Sequence, residues 1–469
     1  MSEKKMIKDP IHGAIEFEGD FENMLKDMLS DQFFQRLRRV KQLGFSDFVF
    51  PSATHSRFGH SLGVYAVAKR MLKIVEPDVS DGKWSEKGRA CLAAALLHDV
   101  GHGMFSHAFE NAAKLYLTET DKDSAQGIID AADHEKVTSR ILTSSSVYTK
   151  LVSIGGEEFP QLVADMIDKK DKACIYTSIV SSQLDADRLD YAARDPYFAG
   201  VSSGGIDLNW LMRNLQVGSG QNGQFLFVDS KAYISMEQFT VTLFQLYPTI
   251  YLHKKTRGLE FLFSKLLRRV FELVESGNET GAGISSSHPL ALFITDPGNL
   301  ENALALDDTL FWGSLHLFRN APDIEVQTIA DDFFKRKIPP MVDAWKLADE
   351  KIAKTHALRG MSAHDRVEQI GAACRRVCRD ILDADNANLR GCYYDTYNRP
   401  IYRPMLKDGD PQQINVQAGG EYLDIAAISP IVSSAASFNI HRIYYDGRID
   451  GQGLYLTSRL RNALEQELN

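Results

Sequence analysis

Histidine is unevenly spread in this chain, with seven of thirteen imidazoles in the first 134 residues. Four residues stand out as candidate ligands. They are His60 in HSRFGHSLGVY, the pair His98–Asp99 ending the run CLAAALLHDVGH, and Asp187 in SSQLDADRLDY. An imidazole and a carboxylate set behind an apolar run are costly to bury alone, and a divalent cation is one partner that offsets the cost. Two imidazoles and two carboxylates suit one divalent transition metal, whether Fe, Mn, Co, Ni or Zn. For a lone His-Asp pair the competing role needs no metal: His98 caps a carbonyl and Asp99 caps the next helix. The stretch GHGMFSHAFE adds His102, His107 and Glu110. His107 and Glu110 are three apart, hence neighbours on one helix face, and a carboxylate that orients an imidazole suits proton transfer. Arg57 and Arg188 each stand within three residues of a proposed ligand. The guanidinium fork suits phosphate, with a solvent-facing salt bridge as the alternative for each. Together these residue types point to metal-assisted hydrolysis, in which the ion lowers the pKa of a bound water.

The elements that must position these residues follow from apolar spacing. Residues 21–43 place Phe21, Leu25, Leu29, Phe33, Leu37, Val40 and Leu43 at helical intervals. Further helices are expected near 59–75, 88–99, 104–117, 134–143, 159–168, 175–194, 208–215 and 231–275, with loops at 200–205 and 217–224. The polar joint SGNETGAGISSSH at 276–288 predicts a division into residues 1–275 and 289–469. Helices are expected to continue to about residue 390. Short strands are expected at Cys392–Tyr394, Pro400–Tyr402, Tyr422–Ile425 and Ile440–Tyr445. The predicted class is mainly α, with a smaller α/β C-terminal lobe.

Composition bounds the function. The chain has 469 residues and a formal net charge of −9, which argues against a dedicated nonspecific duplex-DNA binder. It leaves room for a small phosphate ligand in a locally basic pocket. Five scattered cysteines with no CxxC pair fit reduced, packing thiols. MSEKKMIKDP lacks the apolar run of a signal peptide, and no apolar run approaches the ~18 residues of a membrane span. A cytoplasmic protein with no membrane partner is expected.

The stretches KDPIHGAIEF, FQRLRRVKQLGFSDFVFPSATHSRFGHSLGV, LLHDVGHGMFSHAFE and LDADRLDYAARD resemble the HD-domain phosphohydrolases. His60, His98–Asp99 and Asp187 match that family's H…HD…D metal signature. Within it the chain is more closely similar to the deoxynucleoside triphosphate triphosphohydrolases, over roughly residues 6–270. No SAM domain is expected, since the pattern starts near Met6, and nucleotide activation does not carry over. The resemblance implies a dNTP substrate, cleaved to deoxynucleoside and triphosphate, with additional Mg possible on the phosphates. It implies a catalytic pair in His107 and Glu110, and a further active-site histidine in His134. It also implies sugar 3′-hydroxyl contacts from Gln42 and Asp195, crowding at C2′ by Tyr191 and Tyr251, and a phosphate or sugar contact from His253. Two positions depart from the pattern: Leu243 replaces a phosphate-contacting arginine, and Leu252 replaces a glutamine near the base. Lys254, Lys255 and Arg257 are candidates for replacing the lost charge, against a solvated helix face. AAISPIVSSA is similar to the C-terminal lobe of bacterial members, which implies a dimer or tetramer contact.

Two other functions use the same residues. A phosphodiesterase or exonuclease would employ the same metal chemistry on diesters. A nucleotide-binding regulator would keep the site without turnover. The basic runs FFKRK and CRRVCRD and the tyrosines from Tyr393 to Tyr402 would suit a single-stranded nucleic acid, but fit amphipathic helices and a packed sheet better.

Overall fold

The helices Arg57–Val75 and Glu86–Leu97 are apolar on nearly every face, and such helices belong inside a core. The second runs through Cys91, Leu92, Ala93, Ala94, Ala95, Leu96 and Leu97, all fully buried. Its small alanines allow close approach of the neighbouring helices, and the Ser85 hydroxyl starts it by accepting the Gly88 N–H. These statements rest on a computed structural model. It describes residues 5–468 except 121–122, 203–204, 221–222, 356–359, 385–388, 401, 406–408 and 434–437.

The protein is mainly α, with 61% of the described residues helical and three small sheets among them. The apolar spacing located most helices, but three long predictions break, each for a local reason. The expected 21–43 helix is Gly19–Met28, then Gln32–Gln35 and a 3₁₀ turn Arg36–Arg39, because Asp31 caps a new start on the Phe33 N–H. The expected 175–194 helix is Ile175–Val180 and Ala186–Ala199, the latter started by Asp185 on the Arg188 N–H. The expected 231–275 helix is Tyr233–Leu246 and Lys254–Glu275, separated by a π-helical turn Tyr247–Tyr251 that contains a proline.

The loop expected at 217–224 is instead part of a hairpin, Leu215–Gly220 with Gly223–Asp229; residues 221–222 lie outside the described residues. Its Gly and Ser content masked the alternation of Phe225 and Phe227 on one side. A second hairpin, Lys5–Asp9 with Gly13–Phe17, was also not foreseen. Strand Asn415–Ala418 pairs parallel to Gly223–Asp229 and antiparallel to Glu421–Asp424, so late chain segments complete an early sheet. The third sheet runs Met341–Asp343, Phe438–Tyr444, Tyr393–Arg399. The strand expected over Pro400–Tyr402 is absent at Pro400 and Tyr402, where proline offers no N–H; residue 401 lies outside the described residues.

The expected boundary at 276–288 falls inside one apolar cluster. Leu273, Val274, Ala282, Ile284 and Leu290 are all buried in it, together with Phe105 and Phe109 from the first half. A separate cluster gathers residues from Val342 to Leu468. All five cysteines are free thiols. No helix of the described residues is long and apolar enough to cross a membrane.

Candidate metal centre

His60 stands in the first turn of Arg57–Val75, His98 caps the C-terminus of Glu86–Leu97, and Asp187 stands in the first turn of Ala186–Ala199. Three helix ends thus bring the four expected ligands together. His60 Nε2 lies 3.0 Å from Asp187 Oδ1 and 3.7 Å from Asp99 Oδ2. His98 Nε2 lies 3.3 Å from Asp99 Oδ1 and 3.9 Å from Asp187 Oδ1. His98 Nδ1 is 3.0 Å from the Ala95 carbonyl, which can only accept, so this nitrogen carries the proton and Nε2 presents a lone pair. That Nε2 is buried with no hydrogen-bond partner among the described residues. A lone pair without a donor, facing two carboxylates, fits a divalent cation. The capping role for His98 is therefore real, but it occupies only one ring nitrogen.

Behind His60 lies a chain of ionic contacts. Asp190 Oδ2 is 2.7 Å from His60 Nδ1, and Arg194 grips Asp190 through Nε at 2.8 Å and Nη2 at 3.0 Å. Arg194 Nη1 reaches Asp9 Oδ2 at 3.0 Å, and His12 Nε2 reaches Asp190 Oδ1 at 2.6 Å. Such outer carboxylates fix the orientation of a ligating imidazole. Burial works against a charged His60, but Asp187 and Asp190 outweigh it and raise its pKa to about 10. The same negative surroundings favour a cation. Asp9, His12, Asp190 and Arg194 were not foreseen as site residues, although KDPIHG and the four-residue spacing of Asp190 and Arg194 carried a signal.

Glu110 organises a second group. His134 Nδ1 is 2.6 Å from Glu110 Oε1, whereas His107 Nδ1 is 3.5 Å away. The expected His107–Glu110 pair is present, yet His134 is the closer partner. Burial pushes the Glu110 carboxyl up, but bonds and charge from His107 and His134 hold it well below the usual carboxylate range. Burial opposes a charged His134, and the Glu110 bond outweighs it, raising its pKa. The His102 ring stacks on His134 at 3.9 Å and sits 3.3 Å from Asp99 Oδ1, linking the two groups. Burial, then the charge of Arg57, lowers the His102 pKa far below the histidine value. His107 alone is open, with 66% of its side chain exposed.

The remaining expected residues divide. Asp195 is buried between His55 Nε2 at 2.9 Å and the Tyr251 hydroxyl, which donates at 2.7 Å; His55 was not foreseen. Tyr191 and Tyr251 meet edge to face at 6.1 Å, joined by Tyr247, which sequence reasoning missed. Gln42 Oε1 is buried and unpartnered among the described residues. Arg188 stays partly open, with Asp185 3.5 Å from its Nε. Arg57 is buried, its Nη1 on Asp99 and its Nε donating to Ser106 Oγ at 2.6 Å. It braces the centre instead of facing open space. His253 caps Lys254–Glu275 through Nδ1 and meets Phe50 edge-on. Leu243 and Leu252 are buried core residues, and Arg257 is engaged by Asp395 and Glu260. Of the three cations offered as replacements for the missing arginine, only Lys254 and Lys255 are exposed.

A helical core whose three helix ends bring His60, His98 and Asp187 close enough to meet one ion, with Asp99 beside them, has an HD-type arrangement. Residues 57–195 match the HD domain family. An uncharacterized protein of Bacillus subtilis, YwfO, is 32% identical over 343 residues, covering 72% of each chain. The chain therefore belongs to the HD-domain phosphohydrolase superfamily. A deoxynucleoside triphosphate triphosphohydrolase SAMHD1 homolog of Dictyostelium discoideum is 32% identical over 55% of this chain and 48% of its own length. The crystal structure of a phosphohydrolase from Bacteroides thetaiotaomicron shares the fold, with a TM-score of 0.68 over 95% of this chain and all of the other, at 24% identity.

Proposed function

We propose that this protein hydrolyses deoxynucleoside triphosphates to deoxynucleoside and inorganic triphosphate. The observation that carries the reading is the face of a single helix. Asp187, Tyr191 and Asp195 follow at intervals of four on Ala186–Ala199, so they project from one side over about 12 Å. A metal ligand stands at one end and a buried carboxylate at the other, with a tyrosine between them. That order suits a phosphate at Asp187, a deoxyribose against Tyr191 and Tyr251, and a 3′-hydroxyl near Asp195 and Gln42. A ribose 2′-hydroxyl would meet the aromatic wall. The relatives named as deoxynucleoside triphosphate triphosphohydrolases support the same substrate class.

A divalent ion held by His60, His98, Asp99 and Asp187 would supply Lewis acidity and water activation. The chain's own residues do the rest. Arg188 faces the phosphates with its rigid fork. His107 is the exposed imidazole beside Glu110, placed to orient water or to hand a proton to the leaving 5′-oxygen, while His134 holds Glu110 in register and His102 stacks behind His134. Water adds to the α-phosphorus, the bond to the 5′-oxygen breaks, and the proton ends on that oxygen. Assembly into a dimer or tetramer belongs to the same proposal and is read by sedimentation.

The test is product identification by mass. Purified protein with Mn, Fe, Co or Mg is given each dNTP, the matching NTPs and a short single-stranded DNA. Triphosphate and deoxynucleoside are expected. Mononucleotides from the oligomer would move the assignment to an exonuclease, and dNTP binding without products would make the protein a sensor. Asp187→Ala is expected to abolish both metal retention and turnover; a fully active variant would remove the metal centre from the account.

A further inference from the structure

Two consecutive residues ahead of His107 occupy the left-handed region, Phe105 at φ +51° and Ser106 at φ +58°. Neither is glycine, and a non-glycine residue there costs ~1 kcal/mol or more unless its surroundings impose it. Something must hold this turn, and the holder comes from outside the segment that matches the HD family. Asp308, in the first turn of the helix Asp308–Arg319, accepts the Phe105 N–H through Oδ1 at 2.7 Å. Its Oδ2 accepts the Lys41 N–H at 3.0 Å. One buried carboxylate, 3% exposed, therefore ties the residue before Gln42 to the turn before His107.

The clasp has a second side. Ser106 Oγ donates to the Lys41 carbonyl at 3.2 Å and accepts from Arg57 Nε, and Arg57 also pairs with Asp99. The Phe105 ring is wedged against Phe45 at 4.0 Å and meets Phe263 and Phe311 edge-on. The aromatic support belongs to the core, whereas the polar supports lead to Arg57 and to Lys41 beside Gln42, and Asp308 supplies the one acceptor that both backbone segments share. We propose that Asp308 is a positioning residue for the reaction, setting the direction of His107 by holding the Phe105–Ser106 turn. This inference rests on the proposed role of His107, and its test includes a readout that does not depend on turnover.

Three proteins decide it: the parent, Asp308→Ala and Asp308→Asn. In the alanine variant both N–H groups lose their acceptor. The kcat for dNTP hydrolysis is expected to fall ~10–100-fold, the effect of a catalytic group moved by about 1 Å. KM and bound metal per chain should stay within about twofold, because neither the ligands nor the sugar wall touches Asp308. Asparagine keeps one acceptor and should restore part of kcat. Amide hydrogen exchange supplies the independent readout. The amides of Lys41 and Phe105 should exchange ~10-fold faster or more in the alanine variant, while those of Arg57–Val75 keep their protection. General loosening, with both sets faster and kcat and KM changed together, overturns positioning in favour of plain stability. So does an unchanged kcat, or unchanged exchange at Lys41 and Phe105. Should the alanine variant fail to fold, the asparagine variant carries the test, with one of the two amides expected to lose protection. Should the parent hydrolyse no dNTP, the substrate assignment fails alone, and the exchange pattern still decides whether Asp308 holds the turn.

Discussion

The two histidine groups are built in opposite ways. His60 is 1% exposed, and behind it stand Asp190, Arg194, Asp9 and His12, each nearly or fully buried and each bonded to the next. His107 is two-thirds exposed, and its contact with Glu110, at 3.5 Å, is loose beside the 2.6 Å bond of His134. In the proposed mechanism a ligand keeps one geometry whether or not a cation is bound, which fixing His60 from behind would supply. The proposed proton-handling group must meet the substrate, which the rim position of His107 would allow. The difference teaches where damage should show: in the buried group as lost metal and stability, at the rim as lost rate.

The largest effect is expected where the buried group has no slack. Gly63 lies one turn after His60 and packs on Asp190 and Arg194; a Cβ there would fall on Asp190 Oδ1 and Arg194 Nη2. Neither side chain has room to retreat. Gly63→Ala should separate Asp190 from Arg194 or from His60, at ~3–5 kcal/mol for a broken buried ion pair. Metal affinity should drop ~10–100-fold through loss of the outer carboxylate. Thermal melting and metal counting by mass spectrometry read both. A variant that melts with the parent and keeps its metal would mean the ionic chain behind His60 does not fix it.

Gly101 tests the seam between the groups. Its N–H donates to Thr138 Oγ1 at 3.0 Å, and a Cβ would strike the His134 carbonyl and the Thr138 nitrogen. The obstacle is backbone, so the helix His134–Ser144 must move. Gly101→Ala is expected to cost ~1–3 kcal/mol by overpacking and to draw His134 away from Glu110. Turnover should fall more than metal content does. If metal is lost in proportion to rate, the two groups are one structural unit and the contrast drawn above collapses.

This contrast also explains what the sequence disclosed. The proposed ligands were legible because a His-Asp pair behind CLAAALL is chemically conspicuous, and because HSRFGHSLGVY and LDADRLDY resemble a known pattern. Arg194, Asp9 and His12 carry the same charges as surface residues, and only their burial marks them as supports; nothing in one sequence reports burial of a charge. The helices with clean apolar spacing were legible too. The breaks at 181–185 and 247–251 were not, since a capping aspartate and a π turn interrupt the pattern without interrupting apolar content. Asp308 was least legible of all, because its partners are backbone N–H groups more than 200 residues earlier in the chain.

The smallest effect concerns that same carboxylate and separates stability from aim. Burial is the main influence on Asp308 and outweighs the Phe105 and Lys41 N–H bonds and the Lys41 charge, with Asp307 adding to it, so its pKa is pushed up to about 6. Arg36 and Arg39 stand on the neighbouring segment, engaged with the His102 carbonyl and Asp307. An acid whose folded pKa lies above its unfolded value of about 3.9 contributes fully at low pH. That contribution is lost as the pH rises from about 4 to about 6 and changes no further above. Asp308→Asn removes this titration, and the acceptor it also gives up shifts the difference by the same amount at every pH. The difference in Tm, parent minus variant, should therefore shrink by ~1–3 °C between pH 4 and pH 6 and then stay level to pH 8. Other carboxylates titrate alike in both proteins and cancel. A difference that grows with pH would mean the carboxylate is ionised in its clasp throughout. The two N–H bonds would then outweigh burial, and Asp308 would hold the His107 turn as an anion.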